Sequence, residues 1–298
     1  MTAVPQTYAP ALTPPARPSP WKEIGVFLGT VGALLATTTT IAVSQDADVR
    51  HVDEAPPLVQ AVLYGQAVIP LLAAVVARLV THGTLRRPGW GFRRTSWGSL
   101  GAAWLWGVLV TVLGGALVWV TGTGDFLPDG LGVMVPLGLS VLALPYVVLA
   151  LGEDIGWRGL LVTRLAEVAG PRTVVLVSGL VWSAFHAPLI AFLGGTPEGA
   201  PVWWALLCFT IGTTALGAVM ASMQLHWGIW PGVLAHAAIN AVLYHVLDPL
   251  TGDTGNTGWF GTESGLFLNL LLVVGAVLWF RRYPLRRTAS GGTEAVRR

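Results

Sequence analysis

Eight stretches of this chain, roughly 24–43, 58–80, 99–121, 131–151, 174–193, 202–223, 229–247 and 265–280, are almost continuously apolar. A helix needs about 20 such residues to cross the hydrocarbon core of a bilayer. Backbone N–H and C=O groups in lipid must be satisfied within the segment, so runs of this length read as helices. A barrel would need alternating stretches of about ten residues, and the sequence has none. Composition supports the same reading. Hydrophobic residues make up 53% of the 298 and charged residues 11%, against about 25% charged in a soluble domain. That excludes a typical soluble enzyme, a disordered chain and a nucleic-acid binder. The expected fold is an all-α polytopic membrane protein of about eight transmembrane helices. The lone cysteine, Cys208, excludes a disulfide framework or a multi-cysteine metal site.

The charges sort along the chain. Residues 1–22, with six prolines from Pro5 to Pro20, read as a flexible tail, residues 23–282 as the membrane domain, and residues 283–298 as a basic tail. Basic residues gather in alternate connections: Arg17 and Lys22, then Arg78, Arg86, Arg87, Arg93 and Arg94, then Arg158, Arg164 and Arg172, then the arginines from Arg281 to Arg298. The other side has Arg50 alone beside Asp46, Asp48, Asp53, Glu54, Asp125, Asp129, Glu198, Asp248, Asp253 and Glu263. By the positive-inside bias the basic side is the cytoplasm, with both termini there. Lys22 is the single lysine. This points to a GC-rich bacterial genome, and so to a bacterial cytoplasmic membrane.

Ionisable groups within spans are costly and usually functional. Three sets remain once the flanks are set aside. Glu153 and Asp154 close the fourth span, with Arg158 four residues beyond Asp154, which is either a solvated helix end or a carboxylate pair that supplies a base. His186 lies in the fifth span, one turn after Trp182 and two residues before Pro188. A hydrogen-bonded structural histidine is the plainer alternative. His236 and Asn240 share one face of the seventh span, as an interhelical pair or as site residues. His245 points to the opposite face, and His51, His82 and His226 fall in loops as solvated residues. Together the three sets supply a water-activating site. Glu serves as general base, two His and one Glu make a three-ligand zinc set, and Asn can donate to an oxyanion. No local H-E-x-x-H motif is present. Convergence of Glu153 with His186 requires the fourth helix to continue past 151, or the fifth to tilt or start late.

These residues resemble the CPBP family of intramembrane proteases, also called the Abi or type II CAAX prenyl protease family. Glu153-Asp154-Ile155-Gly156-Trp157-Arg158 matches its Glu-Glu-x-x-x-Arg motif with Asp154 for the second Glu. Trp182 to His186 matches Phe-x-x-x-His with Trp182 for Phe, and His236 to Asn240 matches His-x-x-x-Asn/Asp in full. The resemblance covers about residues 145–247. It implies a membrane-embedded endopeptidase, acting on a peptide or protein substrate in a cavity open to the cytoplasm. Glu153 would activate water or bind a metal, and Arg158 would fix the acidic pair. His186 and His236 would hold a metal, zinc first, or else the water and oxyanion, with Asn240 at the oxyanion. A metal-free glutamate mechanism stays open. So do two other functions, a catalytically silent immunity or interaction protein and a proton- or metal-coupled transporter. Membrane lipid is the expected surrounding partner.

Overall fold

The computed structural model describes residues 19–86 and 89–296. Most of the proline-rich tail, and Arg17, Arg87, Arg297 and Arg298, lie outside the described residues. Among the described residues nine helices carry the fold: α1 Pro20–Ser44, α2 Pro57–His82, α3 Trp97–Val120, α4 Leu131–Gly138, α5 Ala143–Val168, α6 Pro171–Phe192, α7 Val202–Trp227, α8 Ile229–Leu250 and α9 Leu266–Arg282. Proline at the first turn starts α1, α2 and α6, where its missing N–H would be unsatisfied anyway. Helix α2 ends on Gly83 at φ +66°, a left-handed position that suits glycine. Two short antiparallel pairs complete the chain: β1 Asp125–Phe126 with β2 Thr251–Gly252, and β3 Leu285–Arg287 with β4 Thr293–Ala295.

Among the described residues, six helices (α1, α2, α3, α6, α7 and α8) are long and apolar enough to cross a membrane. Helices α4 and α5 supply a seventh crossing if counted together, with a 55° bend at their break. The eighth expected span is α9, 17 residues long, at the short limit for crossing. The protein is thus all-α and polytopic with six or seven such spans.

Contacts between connections define two ends. At the acidic end the segments 45–56, 121–130, 193–201 and 251–265 meet. Val49 N–H donates to the Leu193 carbonyl at 2.8 Å, Thr254 Oγ1 to the Thr123 carbonyl at 2.9 Å, and β1 pairs with β2. At the basic end Arg93 reaches the Gln224 carbonyl at 3.3 Å, and Thr293 Oγ1 the Ala169 carbonyl at 2.7 Å. The expected basic tail is therefore folded over 285–295 as a hairpin against this end.

The fourth expected span does not stop at 151. Helix α5 runs on to Val168, through a π-helical stretch at Ile155–Val162. The charges that ended the apolar run are buried instead of solvated: Asp154 is 0% exposed and Arg158 2%. Arg158 and Arg164 thus belong to a helix and not to a connection. Helix α5 packs closely on α2 because Gly156 has no side chain, and a Cβ there would overlap the Pro70 carbonyl. Helix α3 approaches α8 in the same way, with the Gly107 Cβ position 2.6 Å from the Ala235 carbonyl oxygen, next to His236. These two contacts fix where α5 and α8 present their polar residues. Two histidines expected in solvent are also packed. His82 ends α2 with its side chain 4% exposed, and His226 lies near the end of α7 against Trp227 and Tyr283.

Candidate active site

Glu153 stands near the middle of α5, ten residues after Ala143, which is about 15 Å along the helix axis. This removes the depth mismatch with His186. Trp182, one turn before His186 on α6, donates its indole N–H to Glu153 Oε2 at 2.9 Å. A phenylalanine, the residue the resemblance expects there, has no such donor. The second Glu153 oxygen makes no hydrogen bond among the described residues. The Trp182 ring also carries the Arg158 guanidinium at 3.7 Å from its centroid, and Arg158 pairs with Asp154 Oδ1 at 2.9 Å. Its remaining amino group lies 3.2 Å from the Met220 sulfur on α7. One buried arginine thus binds α5, α6 and α7 together. Removing a partner from such a pair leaves an uncompensated charge, at about 3–5 kcal/mol.

The histidines approach from two other helices. His186 Nδ1 lies 3.0 Å from the Trp182 carbonyl. A carbonyl only accepts, so Nδ1 carries the proton and Nε2 is the free nitrogen. His236, 5% exposed, sits with its ring 5.2 Å from the Trp182 ring and Nδ1 3.7 Å from Asp154 Oδ2. Asn240 follows one turn later on α8, half-buried. A cavity of about 190 Å³ is lined by Glu153, His186, His236 and Asn240 together. Four residues named from three motifs therefore face one space. Asp154 and Arg158 do not line it, and their place is behind it, holding Trp182 and His236.

Two observations bear on the expected metal set and on the side to which the cavity opens. Glu153, His186 and His236 line one cavity, yet among the described residues no three His, Cys, Asp or Glu side chains come close enough to hold a metal ion. Glu153 is turned to Trp182 and His186 to the Trp182 carbonyl, so the three do not point at one another. The cavity lining also reaches Tyr244, Glu263 and Asn269, at the acidic end. None of it comes from the basic end taken as cytoplasmic.

Sequence reading also missed part of the lining. Trp182 was noted for its position alone, and its indole donor is invisible without the α5–α6 geometry. Tyr244 is four residues after Asn240, a helical repeat that could have placed it on the same face. Glu263 was assigned to flanking duty, and Phe209 and Thr213 on α7 carried no polar signal inside an apolar run.

The segment 135–242 matches the family model described as type II CAAX prenyl endopeptidase Rce1-like. No curated protein matches the chain. The matched segment holds all six motif residues, and four of them face one cavity. Over residues 135–242 the chain is thus similar to the Rce1-like type II CAAX prenyl endopeptidases, which are membrane proteases.

Proposed function

We propose that the cavity between α5, α6 and α8 hydrolyses a peptide bond of a membrane-associated protein with water activated by Glu153. The convergence of Glu153, His186, His236 and Asn240 on one cavity supports this reading. In the proposed reaction the Glu153 carboxylate takes a proton from water as its oxygen attacks the scissile carbonyl carbon. The free Nε2 of His186 accepts from that water and aligns it. His236 and Asn240 face the carbonyl oxygen and donate to the oxyanion as it forms. The carbon–nitrogen bond then breaks, and the proton held on Glu153 passes to the leaving amine. Asp154 and Arg158 are positioning residues that keep Trp182 against Glu153.

The lining reaches the acidic end, and Arg158, Trp157 and Phe185 are buried without lining it. This favours a closed reaction chamber over a transport path. Among the described residues no His, Cys, Asp or Glu side chains form a metal-ligand cluster, and the proposed reaction uses no metal.

Cleavage of endogenous membrane proteins by isolated membranes, compared across Glu153→Gln, His186→Ala and His236→Ala, tests the reading. Loss in all three is expected, and undiminished cleavage would refute it. Cleavage that persists in a strong chelator is expected, whereas loss restored by zinc would require a metal-bound form of the site.

A further inference from the structure

The family motifs do not include Glu263, yet it lines the same cavity as Glu153. The loop before α9 holds it there. Asn269, 4% exposed, donates from Nδ2 to the Glu263 carbonyl at 2.8 Å and to the Gly265 carbonyl at 2.6 Å. Gly212 on α7 leaves the space that Asn269 Oδ1 fills. On the other side Tyr244 Oη donates to Glu263 Oε2, and the Tyr244 ring stacks on Tyr146 of α5 at 6.0 Å between centroids. A half-buried carboxylate that lines the cavity is thus held from α8 and α9.

No cation stands within ion-pairing distance of Glu263 among the described residues. The acidic end has Arg50 as its one lysine or arginine, and Arg50 is paired with Asp48 and Glu198, at 2.5 and 3.5 Å. The Arg50 hydrogen bond holds the Asp48 carboxyl down at about 2. A second cavity of about 300 Å³ shares Leu243 and Leu268 with the first, and carries Asp248 and Asp253 above an apolar floor of Val118, Leu247 and Phe260. Apolar walls beneath a rim of carboxylates suit a long side chain with an aliphatic stem and a cationic head. Buried walls of low polarizability strengthen such a pairing and make it selective.

We propose that Glu263 is a specificity residue that selects a lysine or arginine side chain beside the scissile bond. The stem lies along Leu243, Leu268 and Leu272, and the head meets Glu263. This rests on the hydrolytic reading above and names its substrate class: peptides that bring a cationic residue into the acidic end of the site.

The test is a binding measurement that needs no turnover. The full chain with Glu153→Gln is placed in lipid nanodiscs and titrated calorimetrically with acetyl-Leu-Arg-Leu-amide and with its Gln counterpart. The Arg peptide should bind about tenfold tighter at low salt. Adding Glu263→Gln should bring the ratio to about one, and Glu263→Lys should turn the preference toward a Glu peptide. Equal binding of the Arg and Gln peptides, or a preference that survives both Glu263 changes, would overturn the proposal. Absence of Glu153-dependent cleavage by the unmodified chain would count against the hydrolytic reading and leave this ratio standing.

Discussion

Two clusters of buried charge lie within this bundle, and they are built to opposite ends. At the basic end Glu23, 2% exposed, is ion-paired with Arg78 at 2.9 Å and Arg164 at 2.7 Å and lies 3.1 Å from His82. Arg78 further reaches the Gly89 carbonyl at 3.1 Å and lies over the Trp90 ring at 4.8 Å. Each Glu23 oxygen lies at ion-pair distance from an arginine, α1, α2 and α5 are joined, and neither cavity described above reaches the cluster. In the middle of the bundle Asp154 and Arg158 are joined as tightly, but the neighbouring Glu153 keeps one oxygen free beside a cavity and two histidines. Buried charge alone therefore does not mark a site. A saturated carboxylate with no cavity ties helices together, whereas an unsaturated one facing a cavity has chemistry left to do.

This contrast can be broken in order of effect. Glu153→Gln should lower cleavage about a thousandfold, the upper part of the range for a general base, with the thermal unfolding midpoint nearly unchanged. A parallel fall in that midpoint would make Glu153 a structural residue like Glu23. Glu23→Gln should do the reverse. Two arginines and a histidine lose their shared anion, at about 3–5 kcal/mol of stability, while turnover per folded molecule holds. Denaturant or thermal unfolding in detergent, beside an activity titration of folded protein, reads both. Asn240→Ala should cost about a hundredfold in kcat as an oxyanion donor is lost, with KM little changed. A pure KM effect would place Asn240 in substrate binding. Trp182→Phe should show the smallest change, about tenfold, because one hydrogen bond to a charged group goes while the ring stays over Arg158. A broadened acid limb in its pH–rate profile would show that the indole acts through Glu153.

Much of the fold was legible because lipid demands long apolar helices. The expected run at 24–43 corresponds to Pro20–Ser44, and that at 99–121 to Trp97–Val120. The motif residues were legible because charged and imidazole groups in apolar helices have few structural excuses. Two of the failures share one cause. Hydropathy counts Glu153, Asp154 and Arg158 as a helix end, but Asp154 and Arg158 neutralise each other across one turn and can be buried mid-helix. Glu23 was passed over in the same way. It stands at the edge of a run, and its three partners come from α2 and α5, 55 or more residues away in sequence. Glu263 is hidden for a different reason. Nothing local distinguishes it from the other acidic loop residues until Tyr244 and Asn269 hold it against the cavity.

The central claim is that one cavity between α5, α6 and α8 cleaves peptide bonds through Glu153. Its most direct test reconstitutes the chain, Glu153→Gln and Glu23→Gln separately in proteoliposomes with a randomised library of membrane-spanning peptides, and counts new termini by mass spectrometry per folded molecule. The account predicts cleavage by the unmodified chain and by Glu23→Gln, and none above background by Glu153→Gln. Equal cleavage by Glu153→Gln, or loss in Glu23→Gln alone, would contradict it.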